Sequence, residues 1–286
     1  MRAPFACADS PPACGRGVRD ALRDAAERFS FSATPRLDAE LLLAHALGIA
    51  RQQLLLDLDR PVPPAFGALV ERRACHEPVA YLTGTRGFWT IEIAVGPGVL
   101  IPRPDSETLL EAAVEHFAGR DGPRRILDLG TGPGTLLLAA LDQWPQATGL
   151  GIEASPQALA YAKRNAAALG MEERAGLRLG SWADGVDERF DLVLANPPYV
   201  ATGEPLPAEV RNYEPAEALL AGADGLDAYR TLAPQLPRLL ADGGVACIEI
   251  GAMQGAVVGA LLRAAGLRTG LRRDLGGRDR CVVATA

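Results

Sequence analysis

The chain has 286 residues, enough for about two domains, and its hydrophobic fraction of 48% is typical of a globular protein. Its net charge of −6 excludes attraction of nucleic acid by the overall field, so no direct sequence-specific binding of nucleic acid is expected. No segment approaches the ~18 apolar residues of a membrane span, and residues 1–15 lack the apolar stretch of a secretory signal. The cysteines and histidines lack zinc-site spacing, so no metal is expected. We therefore predict a cytoplasmic protein whose residues 1–16 form a disordered tail.

Residues 17–83 have the pattern of a small helical domain. Thr34 is expected to cap a helix that begins at Pro35 and ends before Gly48, because proline suits the first helical position and glycine the position after the end. A shorter helix is predicted near residues 52–58, and another is predicted to end near His76.

The hydrophobic period then changes from helical spacing to alternation. Apolar residues alternate strictly from Trp89 to Val95, which predicts a strand, and the Gly96-Pro97-Gly98 segment interrupts it. Val99–Ile101 is predicted as the partner strand, so residues 84–103 are expected to form a β-hairpin linker. Asp105 is expected to cap the helix that follows.

Residues 104–286 alternate between strand and helix patterns. This alternation favours an α/β fold with a mainly parallel, doubly wound sheet, in which ligands bind beyond the carboxyl ends of the strands. The predicted strands are Arg125–Leu129, Thr148–Ile152, Leu177–Leu179, Phe190–Ala195, Val245–Ile250, Leu267–Arg272 and Arg280–Ala284.

A glycine-rich loop, Gly130-Thr131-Gly132-Pro133-Gly134, follows the first strand of this region. Glycines allow a tight turn and a close approach of the backbone to a ligand, although a tight strand-to-helix turn without a ligand is the alternative explanation of the loop alone. Glu153 ends the second strand, where a carboxylate can accept hydrogen bonds from two ribose hydroxyls. The spacing G-x-G-x-G, instead of the G-x-G-x-x-G of a dinucleotide site, favours an adenosyl ligand over a dinucleotide, because no pyrophosphate needs the helix N-terminus.

Asn196-Pro197-Pro198-Tyr199 follows the buried strand Phe190–Ala195. Two prolines remove two backbone N–H donors, which leaves the side-chain oxygen of Asn196 and the carbonyl of Pro197 as acceptors for a substrate –NH₂. Tyr199 is expected to stack on a flat substrate group. The clamp therefore predicts methylation of a planar amine-type nitrogen, and it allows glutamine and adenine equally.

In combination, these motifs resemble the HemK/PrmC family of release-factor glutamine N5-methyltransferases over about residues 30–285. The motifs that carry the resemblance are Pro78–Gly84, Phe88-Trp89, Leu100–Glu107, Asp128–Gly134, Ser181-Trp182, Asn196–Tyr199, Glu214-Pro215, Ala218-Leu219 and Asp224–Asp227.

The resemblance implies a class I S-adenosylmethionine-dependent methyltransferase with a seven-stranded, mostly parallel sheet over residues 104–286. It makes residues 17–83 a substrate-recognition domain, and it makes the glutamine of the Gly-Gly-Gln motif of class 1 release factors the substrate. It implies that Asn196, Pro197 and Tyr199 are catalytic and that Pro198 joins them in substrate binding. The implied contacts of S-adenosylmethionine are Gly130, Thr131, Gly132, Pro133, Gly134, Glu153, Trp182 and Asn196.

Three residues differ from the usual family pattern without removing a catalytic group. Glu153 stands where aspartate is common, Pro133 where small or hydroxyl residues are usual, and Ser106 where threonine is common. Pro133 also lacks an N–H that could reach the cofactor.

Arg103, Asp105 and Glu107 allow two interpretations. They could close over the cofactor, or they could form a helix cap with an acidic first turn.

The sequence also allows other functions. A glutamine methyltransferase of a ribosomal protein and an N6-adenine methyltransferase of DNA or RNA could use the same clamp. The latter has to unstack a base and usually carries a basic surface, which the acidic balance does not favour. A binding module without catalysis is disfavoured by the intact loop, acid and clamp.

Overall fold

The computed structural model describes residues 17–286, so the predicted tail at residues 1–16 lies outside the described residues. The chain forms two compact units. Among the described residues, unit 1 combines residues 17–84 with Pro207–Tyr213, and unit 2 combines Thr85–Leu206 with Glu214–Ala286. Within residues 17–286, no helix has both the length and the apolar character needed to cross a membrane.

Unit 1 is helical, and its core is built from side chains such as Leu22, Leu42 and Leu54, which are fully buried. The expected helix begins at Pro35, and Gly48 follows its end with a φ of 65°, which confirms both predicted boundaries. In chain order, the helices of this unit are α1 (Val18–Arg28), α2 (Pro35–Leu47), α3 (Arg51–Leu56), α4 (Ala65–Ala74), α5 (Val79–Thr83) and α9 (Ala208–Tyr213).

A buried arginine joins several parts of unit 1. Arg73 on α4 is 3% exposed, and its guanidinium donates to Asp38 on α2 at 2.8 and 3.0 Å. It also donates to Glu209 on α9 at 2.8 Å and lies 4.9 Å from the ring centre of Phe31. Arg73 therefore links α9, which is distant in sequence, to the core helices of this unit.

Unit 2 begins with a hairpin, but its strands differ from those predicted. Strand β1 (Thr85–Phe88) pairs antiparallel with β2 (Ile91–Ala94) around a turn at Trp89-Thr90. The prediction of Val99–Ile101 as the partner strand was wrong, because the strand that precedes the turn takes that place. Trp89 has a φ of 54°, a left-handed conformation that allows the chain to reverse there.

The main body of unit 2 is a seven-stranded sheet in the order β5-β4-β3-β6-β7-β9-β8, which confirms the predicted doubly wound α/β fold. All neighbouring pairs are parallel except those that involve β9. The strands are β3 (Arg125–Leu129), β4 (Thr148–Glu153), β5 (Ala175–Leu179), β6 (Phe190–Ala195), β7 (Leu240–Glu249), β8 (Arg268–Arg273) and β9 (Asp279–Thr285).

Helices accompany the strands, and the connections leave β3 in opposite directions. From β3 the chain crosses to β4 on one side, and it later returns to β6 on the other side, so the strand order reverses at β3 and β6. Ligands in open sheets bind at such a reversal, beyond the carboxyl ends of the strands. The helices are α6 (Glu107–His116), α7 (Thr135–Gln143), α8 (Pro156–Ala168), α10 (Asp227–Leu232), α11 (Leu236–Leu239) and α12 (Gly255–Ala264).

The start of α6 corrects a second expectation. A 3₁₀ turn over Pro104–Ser106 precedes the helix, and no side chain caps its first turn. Asp105 instead forms an ion pair of 3.1 Å with Arg280 on β9. Pro104 fixes the backbone one residue before Asp105, so the chain enters the helix through this turn rather than through an extended capping residue.

Candidate active site

A cavity of about 500 Å³ lies in unit 2 beyond the carboxyl ends of β3, β4 and β6. The glycine loop after β3 forms part of its wall. Gly130, Gly132 and Gly134 have φ values of 74°, 58° and 90°, a region that is costly for residues with a Cβ. The loop therefore needs glycine at these positions to present its backbone to the cavity.

Asp128 stabilises this loop through hydrogen bonds of its side chain. One carboxylate oxygen accepts a hydrogen bond of 2.6 Å from the Thr131 hydroxyl and another of 3.2 Å from the N–H of Leu137. Burial raises the pKa of Asp128 to about 7, against the lowering effect of these two hydrogen bonds. Asp128 is the first residue of the motif Asp128–Gly134, but its support of the glycine loop was not predicted from the sequence.

Glu153 faces the same cavity from the end of β4. Its two carboxylate oxygens accept backbone hydrogen bonds from Gly132 at 2.7 Å and from Ser155 at 2.8 Å. Each oxygen keeps lone pairs for further donors, so the carboxylate is aimed and still able to accept from ribose hydroxyls. Trp182, with a φ of 48°, also lines the cavity and offers an aromatic surface.

Asn165 on α8 is a buried polar residue that the sequence analysis missed. Its Nδ2 donates to the carbonyl of Pro133 at 2.8 Å and to that of Ala94 at 3.1 Å, and its Oδ1 accepts from the N–H of Ala94 at 2.9 Å. It thus ties the glycine loop to strand β2. Only the burial of an asparagine on an otherwise ordinary helix could have signalled this role.

Three of the four clamp residues, Asn196, Pro197 and Pro198, line the same cavity as the glycine loop, and Asn196 follows the strand end that pairs with the end of β3. Tyr199 packs against the hydrophobic core of unit 2, where burial raises its pKa to about 12, and it is not among the residues that line the cavity. Its stacking on a substrate therefore stays a prediction.

Among residues 17–286, the side chain of Asn196 has one hydrogen-bond partner. Its Nδ2 donates to the hydroxyl of Ser106 at 3.2 Å. Because the amide nitrogen is used in this way, the amide oxygen is left as the acceptor that the clamp requires.

Arg103, Asp105 and Glu107 all have protein partners. Arg103, which lines the cavity, pairs with the buried Glu214. Glu214 also accepts from the N–H of Ile101 at 3.1 Å, and Glu107 accepts from the N–H of Trp89 at 2.9 Å. These contacts shape the cavity wall between the hairpin and α6.

The fold and the cavity define a class I S-adenosylmethionine-dependent methyltransferase. Residues 121–261 match a family model described as a methyltransferase domain. A solved methyltransferase from Pyrococcus furiosus shares the fold with a TM-score of 0.51, at 18% identity over 69% of this chain and 90% of that one.

Proteins of similar sequence identify the family within this class of methyltransferases. Residues 20–84 match the PrmC N-terminal domain. A release factor glutamine methyltransferase from Rhodospirillum rubrum is 47% identical over 87% of this chain and 78% of that protein. One from Cereibacter sphaeroides is 46% identical over 93% of this chain and 97% of that protein. The chain belongs to the release factor glutamine methyltransferase family.

Proposed function

We propose that the chain transfers the methyl group of S-adenosylmethionine to the side-chain amide nitrogen, N5, of the glutamine in the Gly-Gly-Gln motif of class 1 peptide chain release factors. The observation that carries this proposal is a single cavity lined by Asn196 and Pro197 together with the glycine loop and Glu153. An amide acceptor thus shares the cavity with the groups that suit an adenosyl ligand.

The cavity residues fit S-adenosylmethionine. Glu153 would accept hydrogen bonds from the ribose, Trp182 would pack against the adenine, and Gly130–Gly134 would present backbone to the amino acid portion. When bound, this cofactor supplies a methyl group that is activated by the positive charge on its sulfur. Asp128 and Glu153 both line this cavity.

The clamp deals with the poor nucleophilicity of an amide nitrogen, whose lone pair is delocalised. The Oδ1 of Asn196 and the carbonyl of Pro197 would each accept one N–H of the substrate –NH₂. Both acceptors draw the nitrogen towards tetrahedral geometry and stabilise the positive charge that develops on it, while the cavity aligns nitrogen, methyl carbon and sulfur. The proton leaves after the methyl group has arrived, so no strong base is required.

The partner that follows is a protein, the release factor, with no role for a membrane or for sequence-specific binding of nucleic acid. The net charge of −6 supports a protein substrate over a nucleic acid. A substrate that acts in translation would place the reaction in the cytoplasm.

The test supplies the purified chain and labelled S-adenosylmethionine with four acceptors: a class 1 release factor, its variant with Gln→Ala in the Gly-Gly-Gln motif, ribosomes and duplex DNA. We expect label in the unaltered release factor alone. Label in DNA or ribosomes without label in the release factor would contradict the proposal, and label that persists in the Gln→Ala variant would place methylation at another residue.

A further inference from the structure

A buried carboxylate lies behind the clamp, outside the set of residues that line the cavity. Glu249, the last residue of β7, is 1% exposed, and its carboxyl group interacts with the hydroxyl groups of Ser106 and Tyr199. The Tyr229 hydroxyl donates to the Glu249 carbonyl at 2.9 Å and helps to fix the backbone there. Within residues 17–286, Glu249 Oε2 is buried without a hydrogen-bond partner.

Ser106 connects this carboxylate to the clamp. A serine hydroxyl has one proton to donate, and an ionised carboxylate can only accept. If Ser106 gives its proton to Glu249, only its oxygen lone pairs remain for Asn196. Asn196 must then present its Nδ2, which is the observed contact of 3.2 Å, and its Oδ1 must point away from Ser106.

We propose that Glu249 is a positioning residue that acts through Ser106 to fix the amide orientation of Asn196, so that Oδ1 faces the substrate nitrogen. This inference rests on the proposed role of Asn196 as the acceptor in the clamp. The orientation matters because a flipped amide would present –NH₂ to the substrate –NH₂, and two donors cannot form a hydrogen bond with each other.

We call the chain of contacts from Glu249 through Ser106 to Asn196 the relay. The direction in which its hydrogen bonds are donated depends on the charge of Glu249. Burial raises the pKa of this carboxyl to about 7, while Ser106, Tyr199 and the charge of Arg280 oppose the rise. Once protonated, the carboxyl can donate to Ser106, whose own proton is then free to point at Asn196 and accommodate the flipped amide. The titratable or charged groups that interact with this carboxyl are Asp105, Tyr199, Tyr229, Arg280 and Cys281.

The consequence is a rise in kcat as the pH increases through about 7 in the unaltered protein. Asp128 also has a pKa raised to about 7, so the profile of the unaltered protein alone does not assign the group. We call the rise in kcat near pH 7 the pH limb. Only its loss in a Glu249 variant assigns the titrating group as Glu249.

The experiment compares Glu249→Gln, Ser106→Ala and Ser106→Thr with the full-length unaltered protein, using a release factor as substrate and saturating S-adenosylmethionine. At pH 8, we expect Glu249→Gln and Ser106→Ala to lower kcat about ten- to a hundredfold, the range that one hydrogen bond to a charged group represents. Ser106→Thr keeps the hydroxyl and should retain most of the activity. Glu115→Gln, an exposed carboxylate paired with Arg272, is the matched control.

The readouts separate positioning from simple damage to the fold. We expect the dissociation constant of S-adenosylmethionine to change by less than about threefold, the scale of a minor perturbation, and the pH limb near 7 to disappear in Glu249→Gln and Ser106→Ala. The double variant should lose no more kcat than the worse single variant, because both act through one chain of hydrogen bonds.

Several outcomes would overturn the relay. They are an unchanged kcat in Ser106→Ala, a pH limb that persists in Glu249→Gln, and losses that multiply in the double variant. If Glu249→Gln does not fold, the Ser106 pair still decides, since equal losses in Ser106→Ala and Ser106→Thr would contradict a role for the hydroxyl. An unaltered protein that fails to methylate the release factor would instead overturn the proposed function.

Discussion

Asn196 stands between two different neighbours. On the protein side its Nδ2 donates to Ser106 at 3.2 Å, and on the other side the cavity is open to it. The groups that would act on the substrate nitrogen are therefore acceptors on Asn196 and Pro197, without any acid or base. In the proposed mechanism, catalysis would depend on the placement of uncharged groups.

Asn196→Ala removes the side-chain acceptor and should lower kcat about 10²- to 10³-fold, the cost of removing one preorganised hydrogen-bonding group from a site of developing charge. The affinity for S-adenosylmethionine should fall only modestly, since most of the expected cofactor contacts come from other residues, the glycine loop, Glu153 and Trp182. Steady-state kinetics and calorimetry would measure the two effects. Gln146→Ala, an exposed amide before β4, serves as the control, and unchanged turnover in Asn196→Ala would refute the clamp.

Glu153→Ala should act on binding instead of turnover. It removes the carboxylate that would accept the ribose hydroxyls, and it frees the N–H groups of Gly132 and Ser155. We expect the dissociation constant of S-adenosylmethionine to rise about 10- to 100-fold, the value of hydrogen bonds to a charged group. Glu188→Ala, at an exposed residue that does not line the cavity, should leave that constant unchanged. An unaltered affinity in Glu153→Ala would remove Glu153 from the ribose site.

At the scale of elements, the cavity depends on links between segments that are distant in the chain. Asn165 brings α8, β2 and the glycine loop together, and Glu214 holds the backbone of Ile101. Each link is a buried polar side chain that satisfies backbone groups in an irregular segment. The walls of the site are therefore positioned by hydrogen bonds from outside the motifs themselves.

Asn165→Ala should destabilise unit 2 by a few kcal/mol, because it leaves the N–H and the carbonyl of Ala94 and the carbonyl of Pro133 without partners, at about 1–3 kcal/mol for each buried group. The urea midpoint of unfolding would measure this loss. Lys163→Ala on the exposed side of α8 is the control. If both variants unfold at the midpoint of the unaltered protein, the link contributes nothing to stability.

At the scale of the whole molecule, buried carboxylates make stability depend on pH. Asp128 has its pKa raised from 3.8 to about 7 by burial, so its ionisation opposes the folded state. A carboxyl group whose pKa is raised in the folded state contributes stability that is fully present below its pKa in the unfolded state. That stability is lost as the pH rises towards 7.

Asp128→Asn cannot ionise, so the free energy of unfolding of the unaltered protein should fall relative to this variant, on the order of a few kcal/mol, as the pH rises from 4 to above 7. Comparing the two proteins cancels the contributions of other titrating groups, including Glu249. Urea unfolding of both proteins without cofactor at a series of pH values gives this difference. A difference that stays constant with pH would show that Asp128 has an ordinary pKa.

The pattern of the sequence predicted most of the elements because their signals are local. Strands β3 and β6 have the predicted bounds, since each is a continuous apolar run bounded by residues that break strands. The hairpin partner and the cap of α6 were predicted wrongly for a common reason. Val99–Ile101 and Asp105 have the local character of a strand and a cap, but partners elsewhere in unit 2 decide their conformation.

The sequence by itself determined the class of chemistry. The glycine loop, the acid that ends β4 and Asn196–Tyr199 are contiguous motifs whose backbone demands and donor or acceptor character can be read residue by residue. How these groups are oriented became known only from the fold, because Ser106, Glu249 and Asn165 reach the site through contacts between distant segments. A buried hydrogen bond depends on which atoms meet in space, and no spacing along the chain records that meeting.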